Sequence, residues 1–449
     1  MQRLRRLISV VLVLVFSLSM GITAFATETE ETEEEILQRE MATAYALPVQ
    51  SNQITNWPQG PGTYGDAAIV MEVGTGAILY AKNIDDHHFP ASITKVLTAL
   101  VALENGVLTD SVTMSHASVE FLQPGDSSIG LKEGNVINLE QALHATLLAS
   151  ANEAAYAVGE NVGINAGYDY NWFLQQMNLR CQELGGTNSN FVNTNGLHDD
   201  NHYTCARDMA LIGREIFKYP DFFRIVQTME YKIPATDTVQ EHIFQQKHKM
   251  LKADNENYYE YAIAGKTGYT SKAKSTLITM ADNGETQLVC VVLRTYGKNV
   301  YPDTKALFEY AFNNFRKVSV DGNESSPDIG AIIPEENSGY VMLPEGVAFE
   351  DLEMEFVPDE GEPWEATLNY SYEGYPVGTA RAKLSDKYIE AHTEPAEEIK
   401  EETVEPEEGM SKQEKIVIGG LGALLIVFLV IFIRMIAVRV KWRKNHKKS

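Results

Sequence analysis

The hydrophobic pattern changes character several times along the chain, and each change marks an element or a boundary. Arg3, Arg5 and Arg6 precede an apolar run from Leu7 to Met20, and Ala24-Phe25-Ala26 follows. A basic flank, a short apolar stretch and small residues at a cleavage point define a secretory signal peptide over residues 1–26. Residues 27–59 are acidic and poor in core-forming side chains, so a disordered leader is expected there. Alternation then begins. AAIVMEV, a Gly74-Thr75-Gly76 turn and AILYA predict a hairpin over Ala67 to Ala81. Ile93 to Glu104 is dense in Ala and Leu and predicts a helix. Asn138 with Gln141 forms a capping-box pattern that opens a helix through Leu148. Helical period recurs from Trp172 to Leu184, where Gly185-Gly186 stops it, and from Ala206 to Phe217. Two apolar runs, Ser275 to Ala281 and Thr286 to Thr295, flank Asp282-Asn283-Gly284, a strong hairpin signal. A last helix is expected over Asp303 to Phe315.

Strand, several helices and strands again predict an α/β (α+β) domain with one antiparallel sheet flanked by helices, over residues 60–317. From Val318 the helical period disappears. Short alternating segments such as ATLNYSYEGYPVGTARA predict a small all-β domain over 318–390. Residues 391–414 are rich in Glu and Pro and read as an extended acidic stalk. The apolar and glycine run from Ile416 to Ile433 is long enough to cross a bilayer, which places a transmembrane helix at 415–438. Arg439, Lys441, Arg443, Lys444, Lys447 and Lys448 follow in a basic tail, 439–449. A basic flank belongs on the cytoplasmic side, so the bulk of the chain is expected outside the cell membrane.

Composition adds little beyond an ordinary core: 44% of residues are hydrophobic and 9% aromatic. Charge adds more. The formal net charge is −25, and the part between signal peptide and membrane carries about −35. That argues against nucleic acid or an anionic membrane surface as a ligand. Cys181, Cys205 and Cys290 are the three cysteines, with no CxxC, so they read as buried small hydrophobes. A Cys181–Cys205 bridge is the one pairing worth considering.

Three short motifs carry the chemistry. Ser92-Ile93-Thr94-Lys95 opens a helix, and a spacing of three puts Ser92 and Lys95 on one face. A serine hydroxyl needs a base to become nucleophilic. A lysine whose pKa is lowered by burial and nearby positive charge can be that base. Lys95 sits in the otherwise apolar VLTALVALE, where a lone lysine needs a reason. Ser150-Ala151-Asn152 lies between two helical segments and offers a hydroxyl and an amide to a common cleft. Lys266-Thr267-Gly268 precedes Tyr269-Thr270 at a strand start. There it would present a cation, a hydroxyl and a backbone open to close approach. Each triplet alone is weak; a solvated helix face, a cap and a glycine-containing strand would explain them.

In this order the three match the S-x-x-K, S-D-N and K-T-G set of penicillin-binding proteins and class A β-lactamases. The sequence resembles the low-molecular-mass serine-type D-alanyl-D-alanine carboxypeptidases. PASITKVLTALVALE, LLASANEAAYAVGE, NGLHDDNHYTCARDMALIG, GKTGYT and TGAILYAKN all carry the resemblance, well over Tyr64 to Phe315 and more weakly into the β domain. The resemblance implies a β-lactamase/D,D-peptidase-like fold. It makes Ser92 the nucleophile, Lys95 its base and Ser150 the proton relay. Asn152 would position substrate, and Lys266, Thr267 and Gly268 would receive the terminal carboxylate end. The backbone N–H groups of Ser92 and Tyr269 would form an oxyanion hole. Lys247 falls where the family can carry an arginine that assists carboxylate binding. The substrate implied is a peptidoglycan stem peptide ending in D-Ala-D-Ala, with β-lactams as inhibitors and no cofactor or metal. The sequence departs from the family pattern at Ala151, at Gly265, and at Lys274, where glycine is common after the third motif.

The same residues admit other readings. A β-lactamase needs a Glu-positioned water, and no ExxxN-type loop lies between the second and third motifs. A metal-dependent D,D-peptidase is suggested by His198, Asp199, Asp200 and His202, but no HExxH exists. A non-catalytic wall-binding protein would have to keep every catalytic side chain to no purpose. Action on cross-links, as an endopeptidase, is left open.

Overall fold

The computed structural model of the chain describes residues 31–334, 339–359 and 362–392. The expected signal peptide, transmembrane segment and basic tail, and nearly all of the expected stalk, lie outside these residues. After α1 (Glu33–Ala46) the chain enters a hairpin of β1 (Ala67–Glu72) and β2 (Ile78–Lys82). Then come α2 (Thr94–Asn105), β3 (Ser111–Thr113), α3 (His116–Glu120) and β4 (Val136–Asn138). Five helices follow: α4 (Leu139–Leu147), α5 (Asn152–Asn165), α6 (Tyr170–Glu183), α7 (Ala206–Glu215) and α8 (Pro220–Val226). The ribbon β5 (Glu230–Ile233) and β6 (His242–Gln245) precedes β7 (Ala262–Thr270), β8 (Lys274–Asp282) and β9 (Gln287–Thr295). After α9 (Val300–Asn314) come β10 (Phe315–Ser319), β11 (Ile329–Ile333) and β12 (Tyr340–Pro344). The described chain ends with β13 (Glu353–Asp359), β14 (Glu362–Tyr372), β15 (Tyr375–Leu384) and α10 (Asp386–His392).

β1 is buried at every position. A strand can read as an unbroken apolar run only where both faces of its sheet are covered. The main sheet has the order β2-β1-β9-β8-β7, antiparallel throughout. Its alternating residues serve two cores. Ala67, Ile69, Met71, Val289 and Val291 face one, shared with α2, α4 and α5 through Val96, Leu143 and Val158. Ala68, Val70, Cys290 and Val292 face the other, shared with Leu307 and Phe308 of α9. Burying each Val, Leu or Ile side chain is worth about 1.5–3 kcal/mol. The order leaves β7 as an edge strand, and that edge borders the helical part of the molecule.

The second sheet runs β10-β12-β15-β14-β13, with β11 also on β15. Its Val341, Leu343, Leu368 and Tyr370 belong to the same core as Leu307 and Phe308. The chain enters this sheet at Phe315, directly from α9, rather than at Val318. It continues as α10 through His392, past the residue 390 expected for its end.

The disordered leader expected over residues 27–59 is corrected over 31–59, the part that the structure describes. Order begins before Glu33. Thr32 opens α1 with a capping box: its hydroxyl accepts from the Glu35 N–H at 3.2 Å, and the Glu35 carboxylate accepts from the Thr32 N–H at 2.8 Å. The acidic run that suggested disorder is the first turn of a helix, where carboxylates complement the helix dipole. Downstream, the fully buried Lys82 ammonium donates to the carbonyls of Ala44, Thr63 and Gly65, each at 2.8 Å. Val49, Ile54 and Trp57 are buried in the second core. These contacts are with distant residues, so local composition could not reveal them. All three cysteines are free and buried, so Cys181 and Cys205 do not pair. The Cys205 sulfur caps α7 instead, accepting from the Asp208 N–H at 3.4 Å.

Candidate active site

Ser92 stands in a single 3₁₀ turn, Ala91–Ile93, that runs straight into α2. Three residues on, Lys95 is completely buried. Its Nζ lies 3.0 Å from Ser92 Oγ, 2.8 Å from Asn152 Oδ1 and 2.5 Å from the carbonyl oxygen of Asn195. The last two can only accept. A neutral amine has two N–H groups and one lone pair. With both N–H groups given to Asn152 and Asn195, the lone pair is left for the Ser92 hydroxyl proton. Burial, and then the positive charge of Lys266, hold the Lys95 pKa well below the ordinary lysine range, against an opposing pull from Glu153.

The turn carrying Ser92 is held on several sides. Ala91 has φ +51°, a left-handed conformation that costs a non-glycine residue about 1–3 kcal/mol. The Thr94 hydroxyl donates to the Ala91 carbonyl at 2.9 Å. His202 Nδ1 accepts from the Val192 N–H at 3.1 Å, so its Nε2 carries the proton that reaches Thr94 Oγ1 at 2.9 Å. Burial pushes the His202 pKa down to about 4, which keeps the ring neutral. From β8, the Thr276 hydroxyl donates to the Pro90 carbonyl at 2.7 Å.

Ser150 and Asn152 come from the junction of α4 and α5. Ser150 has φ +63°, a second strained position at the same cleft. The Asn152 N–H donates to the Ser127 carbonyl at 2.8 Å. Next to it, buried Glu153 accepts from the Ser128 hydroxyl at 2.7 Å and the Ile129 N–H at 2.8 Å. The loop at 126–130 is thereby tied to the helix start that aims Asn152.

β7 supplies the facing wall, with its free edge beside the Ser92 turn. A Cβ added at Gly268 would sit 2.9 Å from Ser92 N and 3.0 Å from the Pro90 carbonyl. The strand therefore lies directly against the Ser92 amide, and only glycine permits it. Gly268→Ala is expected to displace one wall from the other and lower kcat/KM by about a hundredfold. A variant that folds and keeps native turnover would overturn this reading of the contact. Gly196 makes the same kind of contact from another loop: its φ is +79° and an added Cβ would sit 1.9 Å from the Ala91 carbonyl.

Ser92, Ser150, Asn152, Thr267, Gly268, Tyr269 and Lys247 line one cleft of about 650 Å³. Tyr269 is 69% exposed at its rim. Lys266 differs from the expectation. It is buried behind the wall, and its ammonium donates to the Thr267 carbonyl at 2.7 Å. Burial, and then the charge of Lys247, push its pKa down to about 7. In the unfolded chain a lysine titrates near ~10.4. Between these values the unfolded state holds a proton that the folded state has released, so stability rises with pH across that window and falls as pH drops toward 7. Urea unfolding at pH 7 and 9 is expected to show this rise in the native protein and a smaller one in Lys266→Met.

Lys274 also has positive φ, +56°, which explains why glycine suits that position. Among the described residues no group of His, Cys, Asp and Glu is placed to hold a metal ion. Within the suspected cluster, both ring nitrogens of His202 are already engaged. Asn195, Gly196, Glu153, Thr94 and Thr276 all shape the site and have no role in the sequence reading; His202 figures there only as a metal candidate. Asn195-Gly196 and His202 lie in the quoted segment NGLHDDNHYTCARDMALIG, which was the available signal.

Residues 55–296 match the peptidase S11 family, described as D-alanyl-D-alanine carboxypeptidase. The chain is 29% identical over 258 residues to the D-alanyl-D-alanine carboxypeptidase DacF of Bacillus subtilis, a match that spans 56% of this chain and 62% of that protein. It is 28% identical over 331 residues to the D-alanyl-D-alanine carboxypeptidase DacA of Haemophilus influenzae, covering 68% and 77% of the two. Among solved structures, the Streptomyces K15 DD-transpeptidase superposes with a TM-score of 0.52 at 26% identity, covering 57% of this chain and 100% of that one. A D-alanyl-D-alanine carboxypeptidase from Mycobacterium tuberculosis gives 0.50 at 27% identity, covering 60% and 96%.

Proposed function

The chain belongs to the peptidase S11 family of D-alanyl-D-alanine carboxypeptidases, and from that membership we propose that it removes the terminal D-alanine from peptidoglycan stem peptides through an acyl-enzyme on Ser92. The observation that carries the reading is the Lys95 amine, buried and committed to two acceptors, with its third direction 3.0 Å from Ser92 Oγ.

The substrate lies along the free edge of β7 as an added strand. Its terminal carboxylate is drawn toward Thr267, Lys247 and the charge of Lys266 behind them, and its arrival favours the protonated form of Lys266. Lys95 takes the Ser92 proton as Oγ bonds to the penultimate D-alanine carbonyl carbon. The oxygen that gains charge is stabilised by the N–H groups of Ser92 and Tyr269. The C–N bond then breaks, and the leaving amine receives a proton through Ser150. Water hydrolyses the ester, returning the serine hydroxyl and the shortened peptide's carboxylate. A β-lactam enters the same path and stays at the ester because its amine remains tethered.

The signal peptide at 1–26 and the apolar segment at 415–438 support a cell-membrane location with the site on the wall side. Deleting residues 411–449 is expected to move the protein from the membrane fraction to the soluble one with activity kept; retention on the membrane would argue against the anchor.

The test of the function is release of D-alanine from a D-Ala-D-Ala-terminated muropeptide, followed by mass, with and without EDTA. Release that survives EDTA supports the proposal. β-Lactam labelling without release would point to transpeptidation or a wall-binding role. Absence of both release and labelling would overturn it.

A further inference from the structure

Lys247 and Lys249, which line the site cleft, also line a second groove of about 530 Å³. Lys252, Gln245 and Asn255 line that groove with them, and no acidic side chain does. Among the described residues none of the three lysines forms an ion pair. The Lys249 ammonium lies 5.6 Å from the Tyr301 ring centre, which steadies it without neutralising it. On a chain with net charge −25, three unpaired cations in one groove stand out.

The groove lies to one side of the site. Lys247 lines both the cleft and the groove, and its charge is felt by Lys266. On the proposed function Lys247 draws the terminal carboxylate, so the groove lies on the side of the leaving residue.

Release of free D-alanine leaves this groove unused. We infer that Lys249 and Lys252 form a carboxylate-binding extension on the leaving-group side, so that the site also accepts leaving residues larger than alanine that carry a second carboxylate. The chemistry is unchanged. The same C–N bond breaks, the departing amine takes the same proton, and water hydrolyses the same ester; only the departing amine differs. The inference rests on the proposed function.

The test compares N-acyl peptides ending in D-Ala-D-Ala, D-Ala-D-Glu and D-Ala-D-Gln. The last two are matched in size and differ by one charge. At low salt the native protein is expected to favour D-Glu over D-Gln release by about fivefold in kcat/KM. The ratio should approach one in Lys249→Met/Lys252→Met and in about 1 M salt, where exposed charges are screened. Lys252→Glu should turn the preference toward D-Gln, with β-lactam labelling as the check that each variant is folded. A native ratio near one, or a ratio that survives the double substitution, overturns the inference while leaving D-alanine release intact. Absence of release from all three peptides overturns the proposed function, and the inference with it.

Discussion

Ser92→Ala is expected to abolish peptide turnover and covalent β-lactam labelling together, with kcat/KM falling on the order of 10⁴-fold or more. The two losses are linked because both pathways pass through an ester on one oxygen. The residual rate would come from binding and the oxyanion donors, which the substitution leaves in place. Folding should be little affected. The Ser92 hydroxyl has one hydrogen bond, to Lys95, and it lies at the cleft rather than in the core. Loss of such a bond costs about 0.5–1.5 kcal/mol. Mass spectrometry after incubation with a β-lactam gives the decisive reading. An adduct on the Ala variant would move the nucleophile elsewhere and end the present assignment.

Lys95→Met is expected to lower kcat by about 10²–10⁴-fold, the scale of a lost general base. β-Lactam acylation should slow in parallel, since the same proton must leave Ser92. Arginine should not rescue it, because a guanidinium stays charged and has no lone pair to offer. The effect on stability has two opposing parts. Removing the amine deprives Asn152 Oδ1 and the Asn195 carbonyl of a donor, at about 1–3 kcal/mol. It also removes a lysine that must be neutral to fit. In the native protein that lysine releases its proton at a pH well below the ordinary lysine range. Because the neutral amine is the active form, native activity should rise with pH through the lowered Lys95 pKa. Lys266, pushed down to about 7, acts in the other sense: its charged form attracts the carboxylate and is lost as pH rises. A bell-shaped profile follows for kcat/KM. In Lys95→Met the rising limb should be absent; a residual activity that keeps the same rising limb would assign it to another group.

The Ser92, Ser150 and Lys266 triplets were legible in sequence because each is short and locally spaced. The elements around them were legible for a related reason. Capping at Asn138, the turn at Gly74-Thr75-Gly76 and the alternation of the strands are local preferences that the fold keeps. Where the expectation failed, a distant partner had intervened. The acidic leader folds as α1 and is tied down by the Lys82 ammonium on Ala44.

What the sequence determined by itself, then, is which side chains are present for the chemistry and in what order their elements follow. Period, caps and turn residues are set by neighbours a few positions away, and motifs of three or four residues carry their own spacing. The tertiary structure alone decided what those side chains can do. It brought Lys95, Asn152 and Asn195 together from three parts of the chain, so that one amine is left with a lone pair for Ser92. It set Gly268 against the Ser92 amide and buried Lys266 next to a second cation. Proton affinity depends on solvent access and on charges a few ångströms away. Both are fixed only when segments far apart in sequence close around the same space.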